Sequence, residues 1–148
     1  MPETKSLYSE VILDHIKNAR NFHELADATS TARGANPLCG DTFTVYLRTR
    51  SDRIEAASFQ CECCGISMAS ASIMTQIVRG KSITEATSLC QRFEQMLRGA
   101  QTQSGEGPDE LAVLQLIREF PSRINCALLG WKTLAAALEG RESVSIEN

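Results

Sequence analysis

The sequence predicts an α+β fold, in which a small antiparallel sheet of about three strands packs against roughly four to five helices. Three observations support this. An amphipathic helical pattern opens the chain, two β-like stretches follow it, and most of the remaining residues show helical patterns. Strands grouped together and followed by helices are typical of α+β proteins, whereas parallel α/β folds alternate the two elements. At 148 residues the chain has the size of one domain, so we expect residues 1–148 to form a single domain.

The first predicted helix covers residues 7–19, with Ser6 as a suitable N-cap. Its apolar side chains recur at helical spacing: Leu7, Val11, Ile12 and Ile16. The following residues are polar and irregular, although residues 28–35 are compatible with a short edge strand.

A β-hairpin is predicted next. Residues 42–48 and 54–60 are rich in β-branched and aromatic residues or show partial alternation, and Ser51-Asp52-Arg53 lies between them as the turn. The second strand leads directly into the cluster Cys61-Glu62-Cys63-Cys64-Gly65.

Two helices are predicted after the cysteine cluster. Small residues alternate with Met and Ile over residues 66–79, which suits a closely packed helix ending at Gly80. Ser82 then opens a helix that runs to about Arg98, because Ser82 and Glu85 form a capping-box pattern.

The last third of the chain is predicted to be a loop followed by two helices. Residues 99–108 are rich in Gly, Ser and Gln and predict a mobile loop, and a short helix should run from Asp109 to about Glu119. Pro121 breaks that helix, Ser122 or Arg123 opens the last one, and it ends at Gly140. We expect the tail, residues 141–148, to be frayed.

Charge and hydropathy exclude several classes of function. The 15 basic and 18 acidic residues give a net charge of −3, with no basic excess that would indicate nucleic-acid binding and no polybasic block that would indicate a membrane surface. The longest apolar runs are too short to span a bilayer, and the first residues lack the pattern of a secretory signal. We therefore expect a soluble, cytoplasmic protein.

The six cysteines are the most informative feature of the sequence. They stand at positions 39, 61, 63, 64, 90 and 126. In a reducing compartment, clustered cysteines more often bind metal or take part in sulfur chemistry than form structural disulfides.

The tripeptide Cys39-Gly40-Asp41 offers a thiolate and a carboxylate. In an extended segment the side chains of residues i and i+2 point to the same side, so Cys39 and Asp41 can converge, while Gly40 lets the backbone bend. These three residues alone are equally compatible with a turn that carries a buried cysteine.

The cluster at residues 61–65 lies at a strand-to-helix junction. The positive end of the helix dipole there lowers the pKa of a thiol and favours thiolate, the form that binds Zn²⁺ or attacks sulfur. Adjacent cysteines point in different directions, so Cys61, Cys63 and Cys64 need not all serve one metal.

Cys126 lies near the start of the last helix, where it can face the same pocket as Cys64. Cys90 differs, because it shares helical spacing with apolar residues and is predicted to be core. Three thiolates and one carboxylate from separate segments would make a closed tetrahedral site, for which zinc is the usual metal. Such a site stays anionic after the metal binds, and Arg123 is the nearest candidate for charge support. Both His15 and His23 are expected to form hydrogen bonds or lie on the surface rather than ligate a metal.

The chain resembles the U-type iron–sulfur cluster assembly proteins, the family of IscU, SufU and the N-terminal domain of NifU. The resemblance runs from Leu7 to about Leu138. It rests on the following residues: Leu7-Tyr8 to Asp14-His15, Arg20-Asn21, the stretches 36–41 and 64–72, and Phe120-Pro121-Ser122-Arg123 to Cys126. The stretch between Gly80 and Phe120 is similar to the insertion that separates SufU from IscU, and Asn125 replaces the histidine of IscU.

The resemblance implies a SufU-type protein with zinc bound by Cys39, Asp41, Cys64 and Cys126. It implies a zinc-dependent sulfurtransferase that accepts persulfide sulfur on Cys39 from a SufS-like, PLP-dependent cysteine desulfurase, acting with that enzyme rather than alone. In this family a histidine of the desulfurase displaces the cysteine that matches Cys39 from the zinc. A downstream scaffold or apo-proteins would receive the product. The alternative is an IscU-like scaffold that assembles a [2Fe–2S] cluster on the same residues.

One departure from the family bears on the site. Relatives usually carry glycine where this chain has Cys61 and Cys63, so two thiols are added beside Cys64. These could make the site a cluster scaffold, a sulfur relay or a zinc site with alternative ligands, and Cys63 could replace Cys64 as the ligand. The sequence does not decide among these readings.

Overall fold

A long β-hairpin forms the centre of the sheet in the computed structural model, which describes residues 10–37, 39–98 and 114–146. Strands β2 (Asp41–Arg50) and β3 (Arg53–Glu62) pair in antiparallel fashion. Between them Ser51 and Asp52 both have positive φ, the backbone that a tight hairpin turn requires. The predicted hairpin is confirmed, and each strand is longer than the sequence pattern indicated.

The other two strands extend the sheet beyond the hairpin, giving the order β3-β2-β1-β4. Strand β1 (Ser30–Asn36) pairs antiparallel with β2, so the edge strand predicted over residues 28–35 lies inside the sheet. Strand β4 (Ser143–Ser145) pairs parallel with β1. The expectation that residues 141–148 are frayed is therefore wrong for the part that the structure describes. The Ile146 side chain is buried, and its backbone N–H donates to the Ala35 carbonyl.

Four α-helices and one 3-10 helix accompany the sheet in the described ranges. They are α1 (Glu10–Lys17), α2 (Gly65–Val78), α3 (Ile83–Leu97), the 3-10 helix Gln115–Glu119 and α4 (Pro121–Leu138). The predicted α+β class is confirmed. The loop and the helix start expected over residues 99–113 lie outside the described residues. None of the helices in the described ranges is both long and apolar enough to cross a membrane.

Pro121 begins α4 rather than preceding it. The first residues of a helix have no intrahelical partner for their N–H groups, so a proline costs nothing there. Ser82, by contrast, caps α3 as predicted: its side chain accepts from the Glu85 N–H while the Glu85 carboxylate accepts from the Ser82 N–H.

Helix α1 buries part of the face that the sequence indicated, since Ile16 packs against the core as predicted. Ile12 and His15 are buried, but Val11 is 41% exposed and Leu13 40% exposed. The prediction that Val11 faces the core is therefore wrong. The predicted N-cap and the first turn lie outside the described residues.

Helix α2 is the centre of the molecule, with eleven of its 14 residues buried. Its hydroxyl groups make hydrogen bonds to neighbouring elements. Ser70 Oγ donates to the Ala127 carbonyl of α4 at 2.9 Å, and Ser72 Oγ accepts from the Arg20 N–H at 2.8 Å and lies 2.7 Å from His15 Nδ1. The hydrogen-bonding role expected for His15 is confirmed, and the hydroxyls connect α2 to both flanking helices.

Helix α3 packs on α4 through aromatic rings. Phe93 and Trp131 stack with their centroids 4.4 Å apart, and Trp131 Nε1 donates to Ser70 Oγ. The buried Cys90 belongs to the same apolar face of α3, as predicted.

Helix α4 lies directly on strand β1 because Gly34 has no side chain. A Cβ atom at Gly34 would overlap Thr133 Oγ1 and lie 3.3 Å from Leu129 Cδ1. The approach to α2 is also close, since a Cβ at Gly130 would be 3.2 Å from that of Ala71. These contacts fix α4 against both the sheet and α2.

The Gly34→Ala substitution is expected to lower the free energy of unfolding by about 1–3 kcal/mol, because the added methyl group overpacks the interface between β1 and α4. Urea unfolding followed by circular dichroism measures this loss. Thr31→Ala, on the exposed side of the same strand, is the control and should cost clearly less. Adding Thr133→Ala to the Gly34 variant should restore part of the loss; no restoration would contradict the assigned clash.

Candidate metal centre

Cys39, Asp41 and Cys126 bring three donor atoms together, all within 4.8 Å of one another. Donors bound tetrahedrally to one zinc at about 2.0–2.3 Å lie roughly 3.3–3.8 Å apart. Small side-chain rotations therefore suffice to close these three around an ion. The convergence predicted for these residues, which come from two distant parts of the chain, is present in the structure.

A turn, rather than an extended strand, places Cys39 beside Asp41. The pair Asn36–Asp41 closes the connection between β1 and β2, and Gly40 has a φ of +82°. Glycine adopts this left-handed backbone without strain, and the Gly40 N–H donates to the Asn36 carbonyl at 2.8 Å. From the sequence, an extended tripeptide was expected. Cys39 and Asp41 converge as predicted, but a turn at Gly40 brings them together instead of an extended segment.

This turn divides the ligands into exposed and buried members. Cys39 is exposed on the connection, whereas Asp41, the first residue of β2, is only 8% exposed. Cys126 is also 8% exposed and lies on the second turn of α4, deeper in the helix than expected.

Cys64 is the N-cap residue of α2 and lies next to Cys126. The hydrogen bond between the two thiols, helped by Ser67 and by the N–H groups at the start of α2, lowers the pKa of Cys64 to about 5 against the opposing effect of burial. Without a metal, Cys64 is therefore a thiolate at neutral pH.

The pKa of Cys126 shifts in the opposite direction. Its hydrogen bond to Cys64 and its burial raise the pKa of the Cys126 thiol, as do the nearby charges of Cys64, Cys39 and Asp41. With no metal bound, the Cys126 thiol therefore keeps its proton at neutral pH. A dication would displace that proton, because a metal binds the thiolate form.

Ser67 holds the buried part of the centre together, a role that sequence reasoning missed. Its hydroxyl lies 2.9 Å from each of two acceptors, Asp41 Oδ2 and the Cys126 carbonyl oxygen, which share its single proton, and 3.4 Å from Cys64 Sγ. The available signal was its position three residues after Cys64, on the same side of α2. From the sequence, Ser67 was only part of the stretch 64–72 that carries the family resemblance, with no role of its own.

Cys61 and Cys63 form a disulfide bond with each other. In this form neither sulfur is a thiolate available to a metal. Cys64 is the member of the cluster whose thiol contacts Cys126, and its role as ligand stays a prediction.

Arg123 lies in the first turn of α4, three residues before Cys126, and is half-buried. Its role as charge support stays a prediction. The neighbouring Asn125 accepts a hydrogen bond from Arg98 Nη2 at the end of α3, at 3.2 Å.

Comparison with known protein families identifies the family of this chain. The profile described as "NifU-like N terminal domain" matches residues 7–143. The chain belongs to this family. The resemblance found in the sequence is thus confirmed.

Two curated relatives match this NifU-like domain over more than nine tenths of their length. It is 39% identical over 137 residues to the zinc-dependent sulfurtransferase SufU of Bacillus subtilis, which covers 93% of the chain and 92% of the relative. It is 36% identical over 135 residues to the iron–sulfur cluster assembly scaffold protein IscU of Thermotoga maritima, covering 91% and 94%.

Solved structures share the fold. A crystal structure of a putative iron–sulfur cluster assembly scaffold protein for the SUF system, from Fervidobacterium islandicum, matches with a TM-score of 0.82 at 31% identity, covering 89% of this chain and 96% of that one. The N-terminal part of a NifU-like protein from Brucella abortus matches with a TM-score of 0.79 at 25% identity, covering 90% and 93%.

Alkylation should distinguish the core cysteine from the exposed one. Burial raises the pKa of Cys90 to about 12, so its thiol stays almost entirely protonated at pH 7.5. In metal-free, reduced protein, iodoacetamide should modify Cys39 readily and leave Cys90 unmodified until denaturant is added, as read by peptide mass spectrometry. Labelling of Cys90 in the folded protein at the rate of Cys39 would contradict its placement in the core.

Proposed function

We propose that this NifU-like domain is a zinc-dependent sulfurtransferase of iron–sulfur cluster assembly. The proposal gives the zinc four ligands, Cys39, Asp41, Cys64 and Cys126, and makes Cys39 the residue that accepts sulfur. Membership of the IscU/SufU family supports a role in cluster assembly, and the name of the Bacillus subtilis relative supports zinc and sulfur transfer.

The observation that carries the proposal is the cluster of Cys39, Asp41 and Cys126, with donor atoms within 4.8 Å of one another and only Cys39 exposed. Thiolates with a single carboxylate suit zinc, which prefers tetrahedral sulfur, nitrogen and oxygen ligands. The thiol of Cys64 adjoins the cluster through Ser67, whose hydroxyl lies 3.4 Å from Cys64 Sγ and donates to Asp41, and it would complete the set of four. When bound, zinc would keep its thiolate ligands deprotonated at neutral pH.

The exposed position of Cys39 suits it to receive sulfur from a large partner. Its thiolate would attack the terminal sulfur of a persulfide on a PLP-dependent cysteine desulfurase. The S–S bond of that persulfide breaks, the cysteine of the desulfurase leaves as a thiolate, and Cys39 becomes the persulfide. The buried Asp41 and Cys126 would support the turn that carries Cys39 from its buried side during this exchange. A downstream scaffold or apo-proteins would then take the sulfur.

A second candidate function uses the same residues. A scaffold would hold a [2Fe–2S] cluster on the cysteines and Asp41, a reading supported by the IscU relative from Thermotoga maritima. The two functions differ in what the purified protein contains: iron with acid-labile sulfide for the scaffold, and zinc without sulfide for the sulfurtransferase.

Replacing the acceptor tests the proposed function. Cys39→Ala is expected to reduce sulfur transfer from a cysteine desulfurase at least tenfold, because the exposed thiol that attacks the persulfide is gone. Transfer is measured as radiolabelled sulfur bound to the chain with its Cys61–Cys63 disulfide intact. Cys90→Ala removes a core thiol outside the centre and should transfer normally when folded. Equal sulfur transfer by the Cys39 variant and the wild type would show that Cys39 is not the sulfur acceptor.

The hydroxyl of Ser67 should support metal binding without being a ligand. Ser67→Ala leaves the Asp41 carboxylate without its buried donor, so zinc affinity should fall by about 10–100-fold. Competition with a chromophoric chelator measures the affinity. Ser70→Ala is the matched control, because this hydroxyl is one turn along α2 and bonds Ala127 and Trp131 instead. Both variants should lose stability; an equal loss of zinc affinity in both would refute a specific role for Ser67.

A further inference from the structure

The disulfide between Cys61 and Cys63 has no part in the proposed sulfur transfer. The two residues are separated only by Glu62, and both are partly exposed. Cys61 is the second-to-last residue of β3, and Cys63 directly follows that strand. The pair therefore lies where β3 ends, just before the N-cap of α2. A dithiol of this kind is a two-electron redox couple.

The pair and the metal centre lie at the same end of the sheet. Glu62, the last residue of β3, pairs with Thr42, and Asp41 immediately precedes Thr42 as the first residue of β2. The disulfide thus flanks the strand end that carries Asp41 and the turn that carries Cys39.

The thiols of the metal centre lie at the same end of the sheet as this disulfide. Cys39 Sγ and Cys126 Sγ are within 4.8 Å, and Cys64 Sγ lies 3.4 Å from Ser67 Oγ, which donates to Asp41 Oδ2. Cys64 follows Cys63 directly in the chain. A persulfide on Cys39 would extend its reach toward the pair by one S–S bond, about 2 Å.

Sulfur delivered as a persulfide carries a chemical requirement. The outer sulfur of a persulfide is at oxidation state zero, whereas the bridging sulfur of an iron–sulfur cluster is sulfide. Two electrons per sulfur atom are therefore needed, and oxidation of one dithiol to a disulfide supplies that number.

We infer that the reduced Cys61–Cys63 pair is a reductive site that discharges the Cys39 persulfide as sulfide. This inference rests on the proposed function of Cys39 as sulfur acceptor. In the first step, one thiolate of the pair attacks the outer sulfur of the Cys39 persulfide. The S–S bond at Cys39 breaks, Cys39 leaves as a thiolate, and the attacking cysteine becomes the persulfide.

In the second step, the other thiolate of the pair attacks the carbon-bound sulfur of this new persulfide. The Cys61–Cys63 disulfide forms and hydrosulfide leaves. The pair is oxidised by two electrons and the transferred sulfur is reduced by two, so the atoms and electrons balance. The disulfide seen in the structure is then the product state, and a dithiol reductant returns it to the starting state.

A single-turnover experiment tests this inference. The full chain is prepared in two forms, one with the Cys61–Cys63 pair reduced and one with the disulfide intact. Small thiols are then removed under anaerobic conditions. Each form is mixed with a cysteine desulfurase that carries one persulfide and no free cysteine. Free sulfide and the masses of the alkylated chain are then measured. The disulfide form has the same sequence as the reduced form, so folding cannot explain a difference between them.

The reduced wild type should release about one sulfide per sulfur transferred and acquire the Cys61–Cys63 disulfide. The disulfide form should instead retain the persulfide on Cys39. The variants Cys61→Ser and Cys63→Ser should keep the sulfur as a persulfide on Cys39 or on the remaining cysteine of the pair, and sulfide release should be at least tenfold lower in all three. Cys39→Ala with a reduced pair should release no more sulfide than these, whereas Cys90→Ala should behave as the wild type.

The outcomes separate this inference from the proposed function. If the disulfide form carries the persulfide on Cys39 but the reduced wild type releases no sulfide, the proposed function stands and the inference is overturned. Release by Cys39→Ala at the wild-type rate overturns it as well. If sulfur reaches Cys39 in none of the forms, the proposed function fails and the inference fails with it.

Discussion

The hydroxyl group of Ser67 is the contact on which the arrangement of the centre depends. It joins the Asp41 carboxylate at the start of β2 to the Cys126 carbonyl in α4, and it belongs to α2, whose N-cap is Cys64. A buried carboxylate without a donor is costly, so this hydrogen bond favours one relative position of the three elements. The metal centre is therefore set by the packing of strand and helices rather than by a single binding loop.

The close packing of α2 makes such a hydroxyl contact possible. Its small side chains allow α4 to approach, and Gly130 leaves room for Ala71 and Phe43 where any larger residue would crowd them. Ser70 repeats the contact between α2 and α4 one turn further along. The result is a rigid, buried half of the site beneath a turn that exposes one thiol. Buried ligands such as Asp41 and Cys126 suit a protein that must hold a metal. The exposed Cys39 sulfur lets the same site exchange sulfur with a partner.

The sequence was sufficient for features that local patterns determine. The hairpin, the capping box at Ser82 and the core position of Cys90 all follow from residue type and spacing. The convergence of Cys39, Asp41 and Cys126 was also predicted, although the cause was a glycine turn at Gly40 and not a pleated strand.

What the sequence did not reveal depends on contacts between distant residues. Strand β4 has a short, polar sequence, and only its pairing with β1 makes it a strand. The orientation of α1 depends on packing against α2, which buries His15 and leaves Val11 exposed. A serine is an ordinary small residue in a closely packed helix, and Ser67 has its role only through its contacts with Asp41 and Cys126. The Cys61–Cys63 bond was missed because the sequence argument considered both residues as thiols.

The coordination of zinc by the purified chain tests the account most directly. X-ray absorption at the zinc edge counts the sulfur and oxygen atoms bound to the ion and gives their distances. The account predicts three sulfur ligands at about 2.3 Å and one oxygen at about 2.0 Å, with the oxygen replaced by solvent or lost in Asp41→Ala. A shell of four sulfur atoms, or a shell made only of nitrogen and oxygen, would contradict the meeting of β2, α2 and α4 in one metal centre.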